Sequence, residues 1–404
     1  MPLRLPLFVI RRPLLPALAF APLLLLMCAA APAAPYLPRS DDQVLETLPV
    51  RPADPRMAEV NALRQALRRQ PGDAGTAVAL ARHYYELVAA EGDPRYVGYA
   101  QAALAPWWNL PQPPQRVRVM RAVLQQFNHR FKEALADLTA AVQADPGDAE
   151  AWSWLAAIHM VQADYAQART ACERVAPYTS ALLATACSAT VDSVTGRAEA
   201  AAKAIRIALR EQPQASAPER LWVLTRLGEI EERRGAFEAA EAAYRAGLAL
   251  DLTDGYLLAA YADFLLDRGR PQEVLTLLKD KSRSDVLLLR LALAAKAAKA
   301  PSLAAYERDM GSRFEAARLR GDATHEKEEA RFALQVQGQP ARALQLAQNN
   351  YAVQREPADA RILLEAAIAA RQPAAAAPVL QWMAESHIES VVLQQLAARL
   401  KEAR

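Results

Sequence analysis

The chain has 404 residues, 52% apolar, 6% aromatic and 23% charged, with a formal net charge of +3. That is enough apolar material for a long buried core, and no run of alternating β-branched residues asks for a sheet. The first 33 residues hold Arg4, Arg11 and Arg12 and no acid, so the remainder is neutral and ill suited to nucleic acid, whose binding rests on many phosphate contacts by Lys and Arg.

Residues 1–33 read as a signal peptide. The three arginines precede an uncharged run with Leu14, Leu15, Leu18, Phe20 and Leu23 to Met27, and Ala31-Pro32-Ala33 has the small-x-small form of a signal-peptidase site. Cleavage after Ala33 delivers the protein to the periplasm or cell envelope. An uncleaved inner-membrane anchor is the main alternative, because no charge falls between Arg12 and Arg39; Pro16, Pro22 and Pro32 weaken it. Cys28 as a lipoprotein cysteine has the bulky Met27 against it, and Arg11-Arg12 as a twin-arginine signal has Ile10 where Ser or Thr is wanted.

Residues 34–56, rich in Pro and Asp, read as a linker, residues 57–385 as paired helices, and residues 386–404 as a terminal helix giving an open stack a polar cap. The first helix is expected near Met57–Gln70, stopped by Pro71. The next pair begins at Asp73, its first helix ending near Ala90 and its second lying around Tyr99–Ala105. Between them Glu91 to Gly98 reads as an inserted surface loop of roughly seven residues, a usual place for binding. Trp107 to Pro114 crowds aromatic and proline residues into one corner, either a hydrophobic plug on the first hairpin or a docking corner.

A periodicity follows. Small residues recur at Ala81, Ala122, Ala156, Ala189, Gly228 and Ala262, and a partner series at Ala134, Ala168, Ala201, Ala240 and Val274 repeats the same steps of 34, 33, 39 and 34. Pro146 and Pro213 stop two more second helices. The pattern is plainest from Pro218 to Asp254. Leu221, Leu224, Leu227 and Gly228 form one helical stripe, Gly235 breaks it, and Phe237, Ala240, Tyr244 and Gly247 form a second. Gly228 and Ala240 are the small residues that let the two helices approach closely.

These residues, with Trp152, Leu155, Ala156, Ala168 and Pro177 as another copy, resemble a tetratricopeptide repeat, whose period is about 34 residues. Glu231 and Leu252 depart from the family pattern, which prefers Tyr and Pro there. The resemblance implies an all-α, right-handed solenoid of about nine helix-turn-helix hairpins whose concave wall is lined by first helices and receives a protein or peptide. It places Arg82, Tyr85, Arg116, Phe127, Ser153, Trp222, Thr225, Glu229, Tyr256 and Asp263 on that wall. Apart from Arg82 and Arg116, the Lys, Asn and Arg set with which chaperone-binding members hold a terminal carboxylate is missing.

Past Gly255 the pattern loosens. Leu258, Tyr261, Ala262 and Gly269 continue it, Asp285–Ala298 is apolar enough to be buried on most sides, and Ser302–Arg320 is a longer, charged helix. Thr324–Gln337 pairs with Pro340–Tyr351, and Asp359–Ala370 with Ala374–Glu385. Cys172 and Cys187 flank the Ala176–Thr179 turn at distances from Tyr178 that let antiparallel helices bring them together, as a disulfide in an oxidising compartment or as two small buried thiols. The five histidines are scattered, His159 reads as a packed core residue, and no nucleophile elbow, phosphate loop or His-Glu-x-x-His motif occurs. The expectation is a non-enzymatic interaction scaffold without metal or cofactor. A membrane-anchored factor assisting assembly or export of an envelope complex or polysaccharide is the alternative, and membrane contact is expected only if the N-terminal segment is retained.

Overall fold

A computed structural model describes residues 55–93, 95–321 and 325–402; the predicted signal peptide and nearly all of the linker lie outside the described residues. Every regular element among the described residues is helical. Helix α1 (Pro55–Arg69) leads. Hairpins follow as α2 (Ala74–Glu91) with α3 (Arg95–Ala103), then, after the short α4 (Ala105–Trp108), α5 (Gln115–Phe127) with α6 (Phe131–Ala144). Next come α7 (Ala149–Val161) with α8 (Tyr165–Val175), α9 (Ala181–Ser193) with α10 (Ala198–Glu211), and α11 (Ala217–Arg233) with α12 (Phe237–Leu248). The chain goes on as α13 (Gly255–Asp267) with α14 (Pro271–Leu277) and α15 (Asp285–Ala297) with α16 (Leu303–Leu319). Then α17 (Glu326–Arg331), prolonged by a π turn over Phe332–Val336, pairs with α18 (Pro340–Val353), and α19 (Pro357–Ala369) with α20 (Ala377–Ser386); α21 (Val391–Glu402) ends the described chain.

Local chemistry sets these boundaries. Asp73, Asp148, Asp164, Ser180, Ser216, Asp254 and Ser284 accept hydrogen bonds from orphan N–H groups at the first turns of their helices. First helices also pack on one another, α5 on α2 and α7, α11 on α9 and α13, and α15 on α13, which is the side-by-side order of a solenoid. The predicted small residues are the contact points: Ala81, Ala122, Ala134, Ala168, Ala240 and Ala262 are buried, and a Cβ on Gly228 would sit 2.4 Å from Cε1 of Tyr244.

Two expectations need correction, and a choice left open between two readings is decided. The loop over residues 91–98 is a tight turn: α2 runs to Glu91, Gly92 takes φ +68°, and α3 starts at Arg95. The aromatic corner is a plug, because Trp107 and Trp108 pack on the first hairpin's core. Arg121 Nη1 donates to the carbonyls of Trp108 (2.7 Å) and Leu110 (3.0 Å) while its other nitrogens hold Asp137. The stack, thirdly, is not capped as an open end.

Instead the C-terminal hairpins cross the ends of the earlier first helices. Arg355 N–H donates to Val161 O (2.8 Å), Trp382 Nε1 to the Tyr165 hydroxyl (2.9 Å) and Ala198 N–H to Glu389 Oε2 (2.6 Å). Arg361 grips Asp267, and Gln354 meets His129. Ala198 opens α10, whose own N-cap residue, Arg197, offers no side-chain acceptor, so Glu389 supplies the missing cap from across the molecule. Apolar packing follows the same seam: Val194, Met160, Ala163 and Tyr165 join the cluster of Leu363, Val379, Trp382, Leu393 and Leu396. On the other side Gly92 lies against Ser284, whose Oγ would be 2.2 Å from a Cβ there.

Cys172 and Cys187 are joined, with sulfurs 1.98 Å and Cα atoms 5.6 Å apart, tying α8 to α9. Among the described residues no helix is long and apolar enough to cross a membrane.

Candidate partner-binding surface

The C-terminal hairpins meet the C-terminal ends of α7 and α13 and the turn after α5, while Trp222 and Tyr256, in the first two turns of α11 and α13, stay exposed. The first helices thus form the wall of a cup, with α17 and α19 on its floor. On the wall near the N-terminus Arg82 holds Glu150 with two hydrogen bonds of 2.8 Å, spanning α5 from α2 to α7. Tyr85 meets the rings of Phe127 and Trp154 edge-on and accepts from Gln126 at 3.2 Å, and burial pushes its hydroxyl up to about 12. Arg82, Tyr85 and Phe127 therefore tie the first three hairpins together. Arg116 is exposed, Ser153 bonds back to Ala149 O, and Thr225 does not face the groove: it is buried, with its hydroxyl on Leu221 O.

Deeper in the chain, Trp222 and Tyr256 stay 39% and 51% exposed. The Tyr256 hydroxyl donates to Glu229 Oε1 at 2.5 Å, and Arg226 stacks 4.4 Å above its ring while pairing with Glu229 at 3.0 Å. Asp263 is occupied: Arg290 (2.6 Å) and Arg331 (2.7 Å) both bind it. Burial alone would raise its carboxyl, but the two guanidinium groups outweigh burial and hold it at about 2.

The floor adds charges that the periodicity did not point to. Lys327 lies 3.6 Å from Asp359 and 4.0 Å from Glu328, and Glu356 feels Lys327, Asp359, Arg226 and Glu229. Burial raises Glu356 despite Lys327, and lowers His129, which Lys327 depresses further. Of these charges only Glu229 is placed on the wall by its repeat position. Lys327, Glu328, Glu356 and Asp359 come from hairpins whose return no spacing announces.

Residues 128–184 match the family model of the tetratricopeptide repeat. Over those residues the chain carries a tetratricopeptide repeat. The match runs from the turn after α5 through α6 and the hairpin of α7 and α8 to the first turn of α9, where Ala134 and Ala168 stand 34 residues apart. No curated protein matches the sequence. Among solved structures the chain is similar to the APC/C hetero-tetramer Cut9-Hcn1, at 10% identity and TM-score 0.41, covering 85% of this chain and 52% of that one. It thus spans about half the length of that relative. It is also similar to a tetratricopeptide repeat protein from Parabacteroides merdae, at 13% identity and TM-score 0.37, covering 72% and 99%. The human IFIT1 dimer with m7Gppp-AAAA gives 12% identity and TM-score 0.38, covering 86% of each chain.

Within the repeats one carboxyl stands out. Burial pushes Glu232 up to about 7, although the Tyr244 hydroxyl donates to it at 2.9 Å. Its folded value lies above the unfolded one, so its contribution to stability is complete below about pH 4.5 and is lost as pH rises through 7. Glu232→Gln is expected to flatten stability between those limits, where the native protein declines by at most about 1.4 kcal/mol per pH unit through this group. Urea titrations at several pH values check this; an unchanged slope in the variant would discard the assignment.

Proposed function

We propose that this chain is a non-enzymatic protein–protein interaction scaffold, exported to the periplasm or cell envelope, that holds a protein or peptide partner in the open half of its cup. The tetratricopeptide-repeat fold is generally such a scaffold. One observation carries the reading: Trp222 and Tyr256, at equivalent places on successive first helices, are left exposed while the chain's own C-terminal hairpins close the other end of the same helices. Large exposed aromatics on a rigid wall are the usual anchors of an interface.

Export is supported by the signal-like residues 1–33 and by the Cys172–Cys187 pair, since disulfides persist in oxidising compartments. A mature N-terminus at Ala34 would establish cleavage, whereas an intact N-terminus in membranes would replace this location with an anchored one. Photocrosslinking from position 222 in cells tests the groove itself. Capture of a defined partner is expected, and Trp222→Ala should weaken its co-purification by about tenfold with helicity unchanged. Undiminished co-purification would remove Trp222 from the interface.

A further inference from the structure

The cup is built for a particular kind of partner. Its charged groups do not balance: Glu229, Glu232, Asp263, Glu328, Glu356 and Asp359 outnumber the cations Arg226, Arg290, Lys327 and Arg331 by two. Asp263 takes two of those cations and Arg226 pairs with Glu229, so the shortage falls on Glu232 and Glu356, which lie within electrostatic reach of Glu229. Glu232 and Glu356 are the two carboxyls that burial keeps above the usual range, which is how a site behaves when acid is desolvated without enough counter-charge. At the rim, α11 packs on α13, each helix carries one exposed ring, and the Tyr256 hydroxyl reaches Glu229.

We propose that the mouth of the cup receives a lysine or arginine side chain from an extended segment of a partner protein, seated against Trp222 and Tyr256 with its cation toward the Glu229 side. The inference rests on the scaffold reading above and names the chemistry of its guest. The wall already holds one such group: the Arg226 guanidinium lies over Tyr256 and against Glu229, the arrangement that an incoming cation would repeat on Trp222. A partner ending in a carboxylate or carrying an acidic motif meets the opposite field, because it would add negative charge where two carboxyls are already held up.

The test uses the full mature chain and two short fluorescein-labelled peptides, one alternating lysine with glycine and the other glutamate with glycine, followed by anisotropy. The lysine peptide is expected to bind, more weakly as salt rises, and the glutamate peptide not to bind. Glu229→Gln, which keeps the hydrogen bond from Tyr256, and Trp222→Ala should each weaken the lysine peptide by about tenfold, while Leu319→Ala, on the exposed face of α16, should not. Equal or tighter binding of the glutamate peptide, no binding of the lysine peptide, or lysine binding indifferent to both substitutions would overturn the proposal. If a partner is still crosslinked through position 222 in that event, only the basic guest is wrong. If crosslinking also fails, the groove reading falls with it.

Discussion

Trp382→Ala is expected to lower the stability of the chain by about 3–5 kcal/mol, because it removes a large, nearly fully buried side chain from the seam between the C-terminal hairpins and the middle repeats. The indole packs in the cluster that spans Val194, Met160 and Leu363, and its N–H donates to the Tyr165 hydroxyl at 2.9 Å. Burial pushes that hydroxyl up to about 12, the mark of a group surrounded by protein. Losing its partner leaves a buried polar group unsatisfied as well. Tyr165→Phe, which keeps the ring and removes only the acceptor, should cost about 1–2 kcal/mol. Urea unfolding measures both; a loss near zero for Trp382→Ala would mean that the indole is not in a packed seam.

The second large effect lies within a single hairpin. Gly228→Leu is expected to destabilise by about 3 kcal/mol or more, since overpacking a well-filled core costs roughly 1–3 kcal/mol for small insertions and rises with size. The obstacle cannot step aside. Tyr244 is fully buried, its ring is 5.8 Å from those of Tyr261 and Phe264, and its hydroxyl is held by Glu232. Gly228→Ala should show the sign with less force, because the helix gains about 1 kcal/mol on replacing glycine. Gly247→Ala is the contrast: its Cβ would meet a Leu257 methyl at 3.1 Å, a flexible neighbour that can yield, so near-neutral stability is expected. Thermal unfolding of the three variants, ranked Gly228→Leu below Gly228→Ala below Gly247→Ala, checks the argument. Equal midpoints would mean that the close approach of α11 and α12 is absent.

These two variants also mark what the sequence made legible. The approach at Gly228 follows from local spacing: small residues one repeat apart must face each other if hairpins stack in register, and Ala81 through Val274 are buried accordingly. The repeat continues past the point where that spacing faded. After each first helix one residue takes a positive φ, at Gly92, His129, Ala163, Gly196, Gly235, Gly269, Lys299, Gly338 and Arg371. Only some of these are glycine, so the turn is set by hydrogen bonds closing the helix rather than by residue type, and a reader of letters passes over His129, Lys299 and Arg371.

The fold-back had no signal at all. It depends on pairs such as Asp263 with Arg331 and Asp267 with Arg361, in which each member alone reads as an ordinary surface charge. For the same reason Asp263, placed on the groove wall by its repeat position, is occupied from within, while Trp222 and Tyr256 remain open. Repeat position tells which way a side chain points. It does not tell what the rest of the chain has already put there.

The return of the C-terminal hairpins across the middle repeats is tested most directly by hydrogen exchange at a single amide, that of Ala198. As the first residue of α10 its N–H has no partner within its own helix, and in an open solenoid it would exchange with solvent as rapidly as other helix starts. Here it donates to Glu389 Oε2 at 2.6 Å beneath the turn before α21. Slow exchange at Ala198 that becomes fast in Glu389→Ala is the predicted result; fast exchange in the unaltered protein would show that the C-terminal hairpins do not lie on the middle repeats.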